Sequence, residues 1–405
     1  MNQRMGERPQ PINQLDAFTD VGLSRIRISA IDGRELQSEH GTLIDYCTTN
    51  YLGFDFHPLM HEIGSRYAQE WGSLSGWSRL EADAPIYSDT EERICKFLGV
   101  KETILAHTIT ITNFSVMSAI AGRGVVICDS KVHSVVYESA RLARDHGATL
   151  CRFKHQNMSD LRAKLEENKG AESIVIAVDG VYSVSTEQAP ILEMQKLAKE
   201  FGAWLYVDDA HGFGILGRRL SSSSDYGLGG RGIIDHHGGN YARTFYVSSF
   251  GKAFCTHSAF ITIPDEYNIS LRERCMQYIF SAPMPPYVLG LVNAAMDLNE
   301  AEGDRRRATL FELCEQFVSG LRAMNLDISN EAGFPVVFWK VGEQDRTIKI
   351  AQALLKGGVL AGLRAFPVVP PTECGFRFGL TALHTKEHVK KTLRVISELT
   401  RESTT

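Results

Sequence analysis

Ala203-Trp204-Leu205-Tyr206-Val207-Asp208-Asp209-Ala210-His211-Gly212 runs from a short apolar stretch straight into two carboxylates, a histidine and a glycine. A run so short and so continuously apolar reads as a strand buried on both faces, as in a parallel sheet covered by helices. Three more runs share the pattern: GVVICD ending at Asp129, SIVIAVD ending at Asp179 and TFYVSS ending at Ser249. Helical spacing fills the intervals. Ile191, Met194, Leu197 and Phe201 follow Pro190, which suits a first helical turn, and Leu161 and Leu165 repeat the spacing earlier. This alternation is that of βα units, and ligands of such sheets bind at the carboxyl ends of the strands. Acidic and hydroxyl residues stand at those ends here.

Beyond about residue 290 the pattern changes to a charged helical stretch through Asp304–Arg307, alternating segments such as PVVFWKV and FRFGL, and a last helix with Val389, Leu393 and Ile396 on its apolar face. The fold class expected is therefore α/β. An N-terminal segment spans 1–45, a large domain with a mostly parallel, helix-covered sheet spans 46–290, and a smaller α+β domain spans 291–405. SSSSDYGLGGRG at 221–232 reads as a flexible loop. Its Gly227, Gly229 and Gly232 spell a dinucleotide fingerprint, but they follow serines in place of a strand and lead into IIDHHGG in place of a helix.

The 405 residues, 43% apolar and 22% charged, are enough for two to three domains, or one large unit with an appendage, and exclude a disordered chain. A net charge of −5 gives no basic excess for nucleic acid or an anionic membrane surface. No apolar run reaches the length of a membrane span, and the N-terminus lacks the apolar stretch of a secretion signal. Eight cysteines without a C-x-x-C read as free thiols, so a cytoplasmic location is expected. The adjacent His236 and His237, with Asp235 and His257 nearby, have no metal-ligand spacing, and no metal is expected.

Three elements carry chemistry: His133 beyond the strand ending at Asp129, Asp208 with His211, and Lys252 in Ser248-Ser249-Phe250-Gly251-Lys252-Ala253. Each alone has an ordinary structural explanation, as a cap, a core histidine or a solvated lysine. Together they suit pyridoxal 5'-phosphate. A lysine at a strand end can form an imine with an aldehyde, Ser248 or Ser249 can reach a phosphate, and an acid on the neighbouring strand keeps a pyridine nitrogen protonated.

Along nearly its whole length the sequence resembles the α-oxoamine synthases, fold-type-I pyridoxal phosphate acyltransferases. The resemblance runs through Asn50-Tyr51-Leu52-Gly53 with His57-Pro58, Ser75-Gly76-Trp77-Ser78-Arg79, His133, Asp179-Gly180-Val181-Tyr182-Ser183 with Ala189-Pro190, Val207–Gly212, Lys252, Phe280-Ser281 with Met284-Pro285-Pro286, and Arg377 with His384-Thr385. It implies condensation of an amino acid with an acyl thioester, from coenzyme A or a carrier protein, usually with decarboxylation, to an α-aminoketone. It also implies a homodimer whose site lies between subunits, with Ser281 on the segment that crosses. Lys252 would hold the cofactor and move the Cα proton, Asp208 would pair with the ring nitrogen, His211 with the phenolic oxygen, and His133 would cover the ring. Arg377 would take the amino-acid carboxylate, with Asn50 and Ser183 beside it.

The sequence departs from the family near the phosphate. Thr108-Ile109-Thr110-Ile111-Thr112-Asn113 replaces a glycine-containing segment, so a different backbone is expected there, with Thr108, Thr110 and Asn113 toward the cofactor. Two glycines usually found after the lysine are replaced within Phe254–Ala259, Ala282 and Pro283 stand where hydroxyl residues are usual, and Tyr87 replaces a histidine. These differences suggest secondary metabolism or signalling, and His133-Ser134, Glu138 and Ala140-Arg141 resemble the autoinducer-synthase branch. An aminotransferase or lyase on the same fold, and a catalytically silent partner subunit, are the alternative readings.

Overall fold

The computed structural model describes residues 14–220, 226–331 and 333–402. In chain order it begins with α1 (Gln14–Asp20), β1 (Ile28–Asp32), β2 (Glu35–Ser38), β3 (Gly41–Asp45), α2 (Pro58–Trp71), α3 (Pro85–Leu98), β4 (Thr103–Ala106) and α4 (Ile109–Ala121). The βα alternation follows: β5 (Val125–Asp129), α5 (Ser134–Asp145), β6 (Thr149–Phe153), α6 (Met158–Glu167), β7 (Ile174–Asp179), α7 (Ile191–Glu200) and β8 (Trp204–Asp208). Next come α8 (Ile233–His236), β9 (Thr244–Ser249), β10 (Ala259–Thr262), α9 (Met276–Phe280), α10 (Pro286–Leu298) and α11 (Asp304–Ala323). The last elements are β11 (Ile328–Ser329), β12 (Val336–Gly342), α12 (Gln344–Lys356), β13 (Val359–Leu360), β14 (Gly362–Arg364), β15 (Cys374–Gly379) and α13 (Lys386–Glu402).

The chain divides into two compact units, 49–312 with 331–333, and 1–48 with 313–330 and 334–405. The boundaries expected from composition were 45/46 and 290/291. The first unit holds a seven-stranded sheet in the order β4-β10-β9-β8-β7-β5-β6. β5, β6, β7, β8 and β9 are mutually parallel, and β10 runs antiparallel between β4 and β9. Every residue of β5, β7 and β9 is buried, as their unbroken apolar runs require. On one face Val126, Cys128, Val175, Ala177, Tyr206 and Val247 pack with Val116, Met117 and Ile120 of α4 and Val136, Ala140 and Ala143 of α5. Asp129, Asp179, Asp208 and Ser249 therefore end neighbouring strands along one edge, with Asp179 and Asp208 directly paired.

In the other unit β1, β2, β3 and β13 form one sheet and β11, β12, β15 and β14 a second. β3 pairs with β13, from a distant part of the sequence, and this pairing gathers the N-terminal strands into that unit. None of the eight cysteines, all among the described residues, forms a disulfide. No helix among the described residues is long and apolar enough to cross a membrane. Residues 221–225 of the expected flexible loop lie outside the described residues. The glycines after them at 227, 229, 230 and 232 have positive φ, and one helical turn, α8, follows where the sequence reads as loop.

Candidate active site

The lysine loop is built by its own main chain. Between β9 and β10, Phe250 N–H donates to Ser258 O (2.9 Å), Thr256 N–H to Phe250 O (3.0 Å) and Cys255 N–H to Lys252 O (3.1 Å). Cys255 holds φ 58°, a left-handed conformation natural to glycine, at one of the positions where the sequence departs from its relatives. Its Sγ accepts from Phe54 N–H (3.3 Å), and Leu52 N–H donates to Ala253 O (3.3 Å), so the Asn50–Gly53 segment docks on the lysine loop. Arg306 secures that segment from behind through Leu52 O (2.8 Å) and Gly53 O (2.9 Å).

One pocket gathers Lys252, Asp208, His211, His133, Ser183, Thr110 and Asn113, all of them expected from the sequence, with Asp179 beside them. Asp208 ends β8, and its Oδ2 accepts from Asn113 Nδ2 (2.9 Å) while Tyr206 donates its hydroxyl to Asn113 Oδ1. Asn113 thus orients Asp208, a task that its place in the expected phosphate segment did not reveal. His133 caps α5, its main-chain N–H donating to both oxygens of Asp179 (3.0 and 3.1 Å). Burial lowers the His133 ring below the ordinary histidine range, Asp208 pulls it back up and Lys252 pushes it down. Burial, and then the charge of Asp208, hold Asp179 well above the usual carboxylate range.

His211 lies against Tyr51, whose hydroxyl meets Nδ1 at 2.8 Å. In the sequence Tyr51 stands only as a member of the Asn50–Gly53 motif. Beneath this turn Asp209 accepts from Ile233 N–H (2.8 Å) and the Tyr246 hydroxyl (2.7 Å), yet burial still pushes its carboxyl up to about 7. A Cβ on Gly232, at φ +96°, would stand 2.0 Å from the Tyr246 hydroxyl and 2.4 Å from Asp209 Oδ2. These contacts occupy the glycine-rich turn with carboxylate packing.

Ile109 and Ile111 take helical conformations, so the altered segment needs no positive φ at either residue. Thr108 accepts from Ile111 N–H (3.2 Å) as the cap of α4, and the unpaired main-chain N–H groups of that first turn suit an anion. The other expected residues are placed differently. Ser248 donates to Asp209 O (3.0 Å) and Ser249 to Ser258 O (3.0 Å), so a phosphate contact by either would exchange an existing bond. Asn50 donates to Asp55 (2.9 Å), and neither it nor Ser281 lines the lysine pocket of the same chain. Ser281 ends α9, where its hydroxyl bonds Gln277 O. Arg377 lies in the other unit, buried in β15 on the sheet face it shares with Arg364 of β14. Burial and the charge of Arg377 push Arg364 down to about 10.

The aminotransferase class I and II family model matches residues 44–396. The chain belongs to that family. It is 31% identical over 409 residues to the 8-amino-7-oxononanoate synthase of Geotalea daltonii, covering 99% of this chain and 98% of the relative. To the enzyme of the same name from Geobacter metallireducens it is 30% identical over 393 residues, covering 95% and 96%. The solved serine palmitoyltransferase of Sphingomonas wittichii superposes with a TM-score of 0.86 at 26% identity, over 96% of both chains. Within the aminotransferase class I and II family the chain is an α-oxoamine synthase, one of the pyridoxal phosphate-dependent acyltransferases of fold type I.

Proposed function

We propose that the chain joins the Cα of an amino acid to the acyl carbon of a thioester, carried by coenzyme A or an acyl carrier protein. The C–S bond breaks and the thiol leaves, the amino acid's carboxylate departs as carbon dioxide, and a proton returns to Cα, leaving an α-aminoketone. The observation that carries this reading is the meeting of Lys252, Asp208, His133 and His211 in one pocket. An amine, a carboxylate, two imidazoles and a helix N-terminus suit the aldehyde, ring and phosphate of pyridoxal phosphate. The bound cofactor supplies an aldehyde carbon for attachment and a ring that draws electrons from the bonds at Cα.

The remaining tasks fall to the chain. Lys252 holds the cofactor and moves the Cα proton. Asp208, steadied by Asn113, keeps the ring nitrogen protonated, and His133 covers the ring face. His211, held by the Tyr51 hydroxyl, pairs with the phenolic oxygen. Thr108, Thr110 and the first N–H groups of α4 take the phosphate, with Ser248 and Ser249 as further hydroxyls. We assign Arg377 to the amino-acid carboxylate, with Asn50 and Ser183, because its paired donors match two carboxylate oxygens. A homodimer is part of this reading. Trp71, Leu74, Trp77, Leu80, Met276 and Phe280 are all exposed, and a partner would cover them and bring its Ser281 to the site. Sedimentation at the monomer mass would remove that part. A place in secondary metabolism or signalling rests on the departures alone and is not carried by the relatives' names.

The test is to titrate the cofactor-loaded protein with glycine, alanine and serine while following its visible absorption. Acyl-coenzyme A of graded chain length is then added and free thiol measured. One amino acid should shift the band, and thiol should appear only when both substrates are present. Oxo-acid formation without thiol release would make the protein an aminotransferase, and absence of any cofactor band would make it a silent subunit.

A further inference from the structure

Beside the pocket, but outside its lining, His155 lies between two carboxylates. Its Nδ1 is 2.8 Å from Asp129 Oδ1, and its Nε2 is 3.0 Å from Glu187 Oε2. A carboxylate only accepts, so both bonds form together only when both ring nitrogens carry protons. The ring packs nearly perpendicular to that of Tyr182, centroids 4.5 Å apart. The carboxylates anchor different segments. Asp129 ends β5 and also accepts from Lys131 N–H (2.7 Å) and Gln156 N–H (2.9 Å), shaping the turn that delivers His133 to the pocket. Glu187 closes the loop 180–189, in which Tyr182 N–H donates to Glu187 O (3.0 Å) and Ala189 N–H to Gly180 O (2.9 Å). That loop places Val181 and Ser183 in the pocket lining.

We propose that His155 is a positioning residue, a cationic clasp that holds the 180–189 loop to the 129–133 turn and so sets Ser183 relative to His133. The groups facing it are Asp129 from β5, Lys131 from the turn, and Tyr182 and Glu187 from the loop. Lys131 adds 3.3 Å contact to Glu187 and opposes the charge on His155, while the two carboxylates favour it. With desolvation working against them, the carboxylates still hold the ring above the ordinary histidine range. The sign follows from this. A group raised in the folded state contributes fully below its unfolded value, about 6.5, and its contribution disappears as pH rises through the higher folded value. The clasp therefore opens on the alkaline side.

The catalytic reading gives the clasp its purpose, but the test does not depend on turnover. Amide hydrogen exchange would be measured on cofactor-loaded wild type, His155→Asn and Glu187→Gln between pH 6 and 9, corrected for the intrinsic pH dependence of exchange. In wild type the 129–133 and 180–189 segments should lose protection together as pH rises. Both variants should exchange there about tenfold faster at pH 6, the effect of losing one charge-assisted hydrogen bond, with little further change on raising pH. Glu187→Gln keeps the shape of a partly exposed side chain and remains informative if His155→Asn fails to fold. Equal protection in Glu187→Gln and wild type would overturn the clasp, whatever reaction the protein catalyses.

Discussion

Lys252→Ala should lower turnover by at least about ten-thousandfold, because one substitution removes both the attachment point and the base that moves the Cα proton. The fold should survive. The loop that bears the lysine is held by main-chain bonds from Phe250, Cys255 and Thr256, none of which needs the side chain. Borohydride treatment of the cofactor-loaded protein should fix the cofactor's mass on the wild-type peptide containing residue 252 and on no peptide of the variant. Cofactor mass fixed on another lysine of wild type would move the site away from this loop.

Asp208→Asn should cost about ten- to a thousandfold in kcat. A nearby opposite charge raises a ring nitrogen by about one to three pKa units, and each unit is about tenfold in the protonated fraction once the nitrogen titrates below working pH. The substitution keeps the shape of the side chain and one oxygen that can accept from Asn113, but turns an amide toward Ala210 N–H, which Asp208 Oδ1 accepts at 3.2 Å. It also removes the charge that helps to hold Asp179 so far above its usual range, which offsets that loss. Thermal stability should consequently stay about level while kcat falls. A joint loss of stability and kcat would give Asp208 a structural task, and an unchanged kcat would separate it from the ring nitrogen.

The strands that bear the site were legible because β5, β7, β8 and β9 are buried on both faces, which leaves an unbroken apolar run ending abruptly at Asp129, Asp179, Asp208 or Ser249. β4 and β10 are four residues each, and β6 at the sheet edge is half polar, so none of them stood out. Side-chain partners were harder to read than positions. Asn113 was expected near the phosphate, yet it supports Asp208, since spacing along one helix cannot show which strand end it faces. Ser248 and Ser249 stand where expected, but their hydroxyls donate to carbonyls of Asp209 and Ser258. Ile109 suggested an altered backbone because glycine is usual there, whereas a helix that starts at Ile109 satisfies that residue. His155 gave no signal, because its partners Asp129 and Glu187 are far apart in sequence and meet only once β5 and β7 are neighbours.

The antiparallel β10 has a consequence for how the site assembles. Ser249 pairs with Ala259 only ten positions later, whereas Asp208 reaches its strand partner Val247 across thirty-nine. Closing the longer span costs about 1 kcal/mol more in chain entropy, before any contact compensates. Low contact order favours early formation, so the hairpin bearing the attachment lysine can close locally while the aspartate edge waits for its crossover to be packed. Two halves of one reaction centre thus belong to different stages of folding.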